Sequence, residues 1–162
     1  MNTKIVKLFK ILYSVLWIYV KNSSFFLAAI FSIMFVITKD PKISLQLVVI
    51  FIFYMCIHEL GHISFLFFSG LDYKLKVKNL SFKVFFNEVA FWNSPFKVKL
   101  SVILGGPAFG FLFCVIVFSL FYHVTHIVYF VILITICEVL NLIFGQDGRM
   151  LENLMKKRVE NK

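Results

Sequence analysis

The sequence predicts an all-α polytopic membrane protein, and three observations lead to this fold class: composition, apolar runs and the placement of lysines. Of the 162 residues, 60% are hydrophobic, whereas about 45–50% apolar is usual for a soluble domain. Four apolar runs are long enough to cross or nearly cross a hydrocarbon core of about 30 Å. They cover residues 24–38, 44–69, 98–121 and 127–146. We therefore expect one membrane-embedded domain, residues 1–162, with about four transmembrane helices.

The basic residues behind the formal charge of +9 are divided unequally between the two sides of the predicted membrane. With four spans, one face carries the N-terminal lysines, six lysines from Lys74 to Lys99 and the basic residues from Arg149 onward, and the other keeps Lys39 and Lys42. This asymmetry follows the positive-inside rule and places both termini in the cytoplasm. The expected partner is the lipid bilayer and not nucleic acid. More Lys than Arg, with many Phe, Ile and Asn residues, is typical of an AT-rich bacterium, so we expect a bacterial cell membrane.

Two segments outside the apolar runs have their own patterns. In residues 1–21, Lys4, Lys7 and Lys10 recur at helical spacing beside apolar residues, which predicts an amphipathic helix in the membrane interface. The alternative is a fifth span that begins near Lys10. In residues 71–78, apolar and polar residues alternate, a period of two that predicts a strand. With a turn at Asn79-Leu80 and a second strand from Ser81 to Phe91, residues 71–91 are predicted to form a small cytoplasmic β-hairpin.

The most informative motif, His58-Glu59-Leu60-Gly61-His62, lies inside an apolar run. Residues four apart in a helix lie about 40° apart on one face, so His58 and His62 can present two imidazoles to one metal ion. Glu59 is placed to reach a water on that metal without being a ligand. A carboxylate here costs roughly 3 kcal/mol on insertion scales, and such residues are functional-site hypotheses by default. The pattern predicts a zinc-hydrolase site.

A third ligand is needed, and Asp147 is a candidate. It follows the fourth apolar run, on the side of the membrane predicted for the histidines, and could complete a three-ligand site. The alternative is a turn at the end of a helix, since Asp147-Gly148 is a common turn dipeptide, and the local sequence by itself favours that alternative. In other zinc-protease classes, the third ligand is a histidine, where this chain has Phe68, or a glutamate, for which Glu88 is the candidate.

The order of these motifs resembles the site-2-protease family of intramembrane zinc metalloproteases. The matching elements are His58-Glu59-Leu60-Gly61-His62, Gly105-Gly106-Pro107, and Asn141-Leu142-Ile143 followed by Asp147-Gly148. The resemblance covers roughly residues 44–155 and implies a minimal core of that family. It implies the following roles: His58, His62 and Asp147 as zinc ligands, Glu59 as general base, and Asn141, Gly105, Gly106 and Pro107 in substrate binding.

The expected function is therefore hydrolysis of a peptide bond in a membrane-anchored protein or small peptide precursor. The hairpin could hold an unwound substrate by strand addition or simply pack on the membrane face. The family's proline position holds Phe144 and its asparagine position Gly110. These departures keep open a non-catalytic, zinc-containing protein that binds a peptide partner in an immunity or chaperone role.

Glu138 is a further carboxylate in an apolar run. It precedes Asp147 by about two and a half helical turns, which predicts that the two lie on roughly opposite faces. We expect Glu138 to be protonated or hydrogen-bonded within the bundle. A third hypothesis is a small transporter that uses Glu138 and the histidines as a proton relay. His123 and His126 lie in a short loop and are expected at the membrane interface. The sequence does not predict an oligomeric state.

Overall fold

The structure, a computed structural model, describes Tyr13, Trp17 and residues 24–78 and 81–160. The helices are α1 (Ser24–Thr38), α2 (Pro41–Phe68), α3 (Glu88–Asn93), α4 (Phe96–Phe121), α5 (Thr125–Phe144) and α6 (Gln146–Glu160), and two strands, β1 (Tyr73–Lys78) and β2 (Ser81–Phe86), pair in a two-stranded sheet. The interfacial helix predicted for residues 1–21 lies, apart from Tyr13 and Trp17, outside the described residues.

Three helical stretches of the described chain are long and apolar enough to cross a membrane: α2, α4 and Thr125–Arg158, which begins with α5. The chain is therefore that of a helical membrane protein, as its composition predicts. Helix α1 has 15 residues, fewer than the about 20 that a perpendicular span needs. The number of spans, four as against three, stays a prediction.

Several boundaries differ from the predicted ones, for local reasons. Strand β2 ends at Phe86 and not at residue 91, because Asn87 caps α3 by accepting a hydrogen bond from the Ala90 amide at 3.2 Å. Glu88 is therefore helical. The helix in the fourth apolar run, α5, ends at Phe144 and not at the predicted residue 146. A further helix that was not predicted, α6, begins two residues later.

The chain forms two compact units: Met1–Cys56 with Lys74–Phe85, and Ile57–Tyr73 with Phe86–Lys162. In the first unit, Pro41 is the first residue of α2 and Asp40 caps it, since Asp40 Oδ1 accepts from the Lys42 and Ile43 amides at 2.7 and 3.3 Å. Proline is favoured at this helical position because its missing N–H has no partner there anyway.

The second unit contains all of the predicted metal and catalytic residues. Within it, α4 packs against α5 and α6, and α5 packs against α6. Two cations on α6 lie over aromatic rings: Lys157 Nζ is 4.2 Å from the Trp92 ring centroid and Arg158 Cζ is 4.4 Å from that of Phe96. Such contacts contribute about 0.5–1 kcal/mol each at exposed sites. They hold α6, and with it Asp147, against α3 and α4.

Gly70 ends α2. Its φ of 69° is left-handed, a conformation that glycine adopts without a Cβ penalty. The Leu71 amide then donates to the Leu66 carbonyl at 3.0 Å, and the Gly70 amide to Phe67 at 3.2 Å. These bonds satisfy carbonyls that the helix leaves open at its end. The chain leaves the helix at a fixed point, two turns after His62.

Candidate metal centre

His58 and His62 lie one turn apart on α2, on the side that is covered by the rest of the second unit. His58 is 7% exposed, and the two ring centroids are 5.0 Å apart. Their Nε2 atoms are 3.3 Å apart. The helical spacing therefore brings both imidazoles together as predicted, with the same ring nitrogen of each pointing at a shared position.

Asp147 joins the two histidines from the first turn of α6. Its Oδ2 lies 3.4 Å from His58 Nε2 and its Oδ1 lies 3.5 Å from His62 Nε2. The three residues are the group that, among the described parts of the chain, could hold a metal ion. Asp147 therefore lies inside a helix and not in a turn, at a position from which it could act as the third ligand.

The donor separations match a small tetrahedral ion. Zinc binds imidazole nitrogen and carboxylate oxygen at about 2.0–2.1 Å, and a tetrahedron with such bonds has edges of about 3.3–3.4 Å. The two Nε2 atoms are 3.3 Å apart, and each lies near a different oxygen of Asp147: His58 Nε2 is 3.4 Å from Oδ2, and His62 Nε2 is 3.5 Å from Oδ1. These separations are of the size that such an ion requires, and one ligand atom from each residue lies within 4.8 Å of the other two.

His62 is held in one tautomer by a backbone carbonyl. Its Nδ1 is 2.7 Å from the Val102 oxygen on α4. A carbonyl only accepts, so Nδ1 carries the proton and Nε2 keeps its lone pair. A partner on the outer nitrogen is what metal-binding histidines almost always have. This contact has no sequence signature, because any residue can supply a backbone carbonyl.

Glu138 lies behind His58. Its Oε1 is 3.1 Å from His58 Nδ1, and the residue is 1% exposed. The expected placement, opposite Asp147 on one continuous helix, is wrong because α5 ends at Phe144 and Asp147 belongs to α6. Counting helical turns across this break therefore misplaces the pair. The signal that could have found Glu138 was its position as a carboxylate in an apolar helix.

Asn141 contacts a candidate ligand directly. Its Nδ2 donates to Asp147 Oδ2 at 2.8 Å. Gly145 leaves room for the Asn141 side chain, because a Cβ at this position would clash with Asn141 Oδ1. Gly148 lets the first turn of α6 approach the end of α5, because a Cβ there would clash with the Leu142 carbonyl. Asn141 thus orients the Asp147 carboxylate. Its predicted role in substrate binding stays a prediction.

The glycines of α4 allow α2 to approach closely. A Cβ at Gly61 would clash with the Gly105 carbonyl, and a Cβ at Gly106 would clash with His62 Nε2. At Gly105 it would lie 2.6 Å from the Phe65 ring and 2.7 Å from the Gly61 oxygen. Pro107 is buried within α4. Gly61 and Gly105 therefore let the two helix backbones approach, and Gly106 leaves the space that the His62 ring occupies. The contact with substrate predicted for Gly105, Gly106 and Pro107 stays a prediction.

Glu59 follows His58 in α2 and is partly buried. Its carboxylate interacts electrostatically with His62, and it does not belong to the group of three residues that could hold a metal ion. The other residues weighed from the sequence lie elsewhere: Glu88, His123 and His126 are exposed. Glu88 is therefore not brought to the two histidines.

Comparison with known proteins found nothing similar: no family model matches the sequence, and no curated protein or solved structure matches it.

Proposed function

We propose that this protein is an intramembrane zinc metalloprotease of the site-2-protease type. The observation that carries the proposal is the meeting of His58, His62 and Asp147, with donor atoms 3.3–3.5 Å apart, beside the partly buried Glu59. Nitrogen and oxygen donors in a tetrahedral arrangement favour zinc. Three protein ligands with an open fourth position are typical of catalytic zinc sites, whereas structural sites use four.

The chemistry divides between the ion and the chain. When bound, zinc supplies the Lewis acidity that polarises a carbonyl and makes water a nucleophile near neutral pH. Glu59 accepts the proton from the water that attacks the peptide carbonyl carbon. Glu59 then donates that proton to the leaving amine as the C–N bond breaks. His58, His62 and Asp147 hold the ion, while Val102 and Asn141 fix the orientations of His62 and Asp147.

The substrate class follows from the surroundings of the centre. His58 and His62 lie in α2, a helix long and apolar enough to cross a membrane, and Asp147 directly follows α5. A substrate that reaches them through lipid would be a membrane-anchored protein or a small peptide precursor. We place both termini in the cytoplasm of a bacterial cell on the lysine asymmetry, with cleavage toward that side.

The test compares Glu59→Gln with wild type in cells that express each protein. New protein N-termini in the membrane fraction are labelled and identified by mass spectrometry, so no substrate has to be known beforehand. We expect termini inside apolar segments with wild type and a loss of about 10²–10⁴-fold with Glu59→Gln, the usual contribution of a general base. Glu88→Gln, the same change at an exposed glutamate, is the control and should cleave as wild type does.

Wild type and Glu59→Gln must contain the same amount of zinc per chain, so that a difference in cleavage reports on Glu59 alone. The same new termini with Glu59→Gln as with wild type would contradict the mechanism. A zinc-loaded wild type that generates no termini above an empty-vector control would contradict the protease proposal. In that case a non-catalytic, zinc-containing protein that binds a peptide partner becomes the better account, because the three ligands would still be in place.

A further inference from the structure

Each candidate ligand has one polar group behind it, and these groups differ in charge. The Val102 carbonyl accepts from His62 Nδ1, and the Asn141 amide donates to Asp147. Behind His58 lies a carboxyl group, with Glu138 Oε1 3.1 Å from Nδ1. His58 is therefore the one of the two histidines whose outer nitrogen faces an acidic side chain.

Burial makes the placement of Glu138 informative. The side chain is 1% exposed and comes from α5, a helix whose other buried residues are apolar: Ile127, Phe130, Val131 and Ile134. A carboxyl group in such a helix is destabilising unless it is paired. Here it approaches the ring nitrogen that points away from the metal position. A carboxylate in that place fixes a histidine's ring orientation and tautomer and raises the basicity of the ligating nitrogen.

We propose that Glu138 is a positioning residue of the metal centre, which holds the proton on His58 Nδ1 and so aims the His58 Nε2 lone pair at the position shared with His62 and Asp147. The inference rests on the proposed metal centre and deepens it. The carboxylate makes His58 a stronger donor than His62, whose partner is a neutral carbonyl. Glu138 contributes to metal affinity without being a ligand.

Two substitutions separate positioning from packing. Glu138→Met keeps approximately the size of the side chain but removes the acceptor and the charge. Glu138→Gln keeps the size and one acceptor oxygen, but it removes the charge and replaces the other oxygen with an NH2 donor. The matched control is Glu88→Gln, the same chemical change at an exposed glutamate outside the candidate metal centre.

The measurement is zinc affinity of the detergent-purified protein by competition with a chromophoric chelator, together with the visible spectrum of the Co²⁺-substituted protein. We expect Glu138→Met to bind zinc about 10–100-fold more weakly than wild type, the usual effect of removing such a partner, with a changed cobalt spectrum. Glu138→Gln should lose less zinc affinity, and Glu88→Gln should keep the wild-type affinity. Metal-free Glu138→Met should unfold more easily than wild type, because His58 Nδ1 is left buried without its acceptor, so zinc affinity is measured at a temperature at which both proteins are folded.

Wild-type zinc affinity and an unchanged cobalt spectrum in Glu138→Met would overturn the inference. If Glu138→Met does not fold, Glu138→Gln decides: weaker zinc binding by the folded variant supports positioning, and unchanged binding overturns it. Different results would contradict this inference and the proposed protease function. A wild type that binds zinc and cleaves nothing leaves the role of Glu138 intact, whereas wild-type affinity in Glu138→Met leaves the role of Glu59 intact.

Discussion

Two clusters of buried or partly buried polar side chains in this protein follow opposite rules. The first, the capping cluster of Thr38, Asp40 and Ser44, lies between α1 and α2. Ser44 is fully buried, and its hydroxyl donates to the Asp40 carbonyl at 2.7 Å and lies 2.9 Å from the Thr38 hydroxyl. The Asp40 carboxylate accepts two backbone amides. In this cluster donors face acceptors, so the polar groups satisfy one another.

In the second cluster, the candidate metal centre of His58, His62 and Asp147, atoms that can bind a metal lie close together: the Nε2 atom of each histidine and the carboxylate oxygens. With the proton of His62 on Nδ1, its Nε2 lone pair faces His58 Nε2 and an Asp147 oxygen within 3.5 Å. Lone pairs at this spacing repel one another unless a proton or a cation lies between them. Burial of polar residues therefore does not by itself indicate a metal site. Several potential ligand atoms that face one position indicate such a site better.

The largest effect should come from removing the third ligand. Asp147→Ala should lower the zinc content of the purified protein from about one per chain to near zero. The loss in affinity should exceed the about 10–100-fold that follows removal of an orienting partner. Zinc per chain, measured by elemental analysis after dialysis, is the readout. Glu88→Ala, an exposed carboxylate that the sequence also allowed as a ligand, is the control and should keep its zinc; equal zinc in Asp147→Ala and wild type would refute the three-ligand centre.

A smaller effect should follow from filling the space beside His62. Gly106→Ala places a Cβ against His62 Nε2, so either the ring or α4 must move. We expect about 1–3 kcal/mol of lost stability from overpacking and weaker zinc binding, measured by thermal unfolding with and without zinc. Ala108→Ser, at an exposed position of the same helix, should change neither. Wild-type zinc affinity in Gly106→Ala would show that His62 does not need this space.

The smallest effect is expected in the capping cluster, and it tests whether this cluster is independent of the candidate metal centre. Asp40→Ala removes the acceptor for two amides of α2 and should cost about 1 kcal/mol of stability, with zinc affinity unchanged. Asp40→Asn keeps an acceptor oxygen and should be close to wild type in thermal unfolding. If Asp40→Ala released zinc while the protein remained folded, the two clusters would not be independent, and the distinction between them would fail.

Much of the candidate site was accessible from the sequence, since it follows from local periodicity. His58, Glu59 and His62 are recognisable because a helix puts the histidines on one face, and Asp147 because the apolar runs bring it to the same side. The placement of Glu138 was predicted wrongly, since a helix was assumed to continue where Gly145 breaks it. The role of Gly106 as space for an imidazole was also not predictable, because it depends on which helix packs against α4.

The sequence by itself determined that this is a helical membrane protein and that two histidines share one helical face, because hydropathy and helical period are local properties. Only the tertiary structure decided that Asp147 and not Glu88 meets those histidines, that Val102 and Glu138 lie behind the two rings, and that Asn141 holds the Asp147 carboxylate. Most of these contacts join α2 to residues of α4, α5 and α6 that are far from it in the chain, and the contact of Asn141 with Asp147 crosses the break between α5 and α6. Their distances are set by how the helices pack, which no single stretch of sequence specifies.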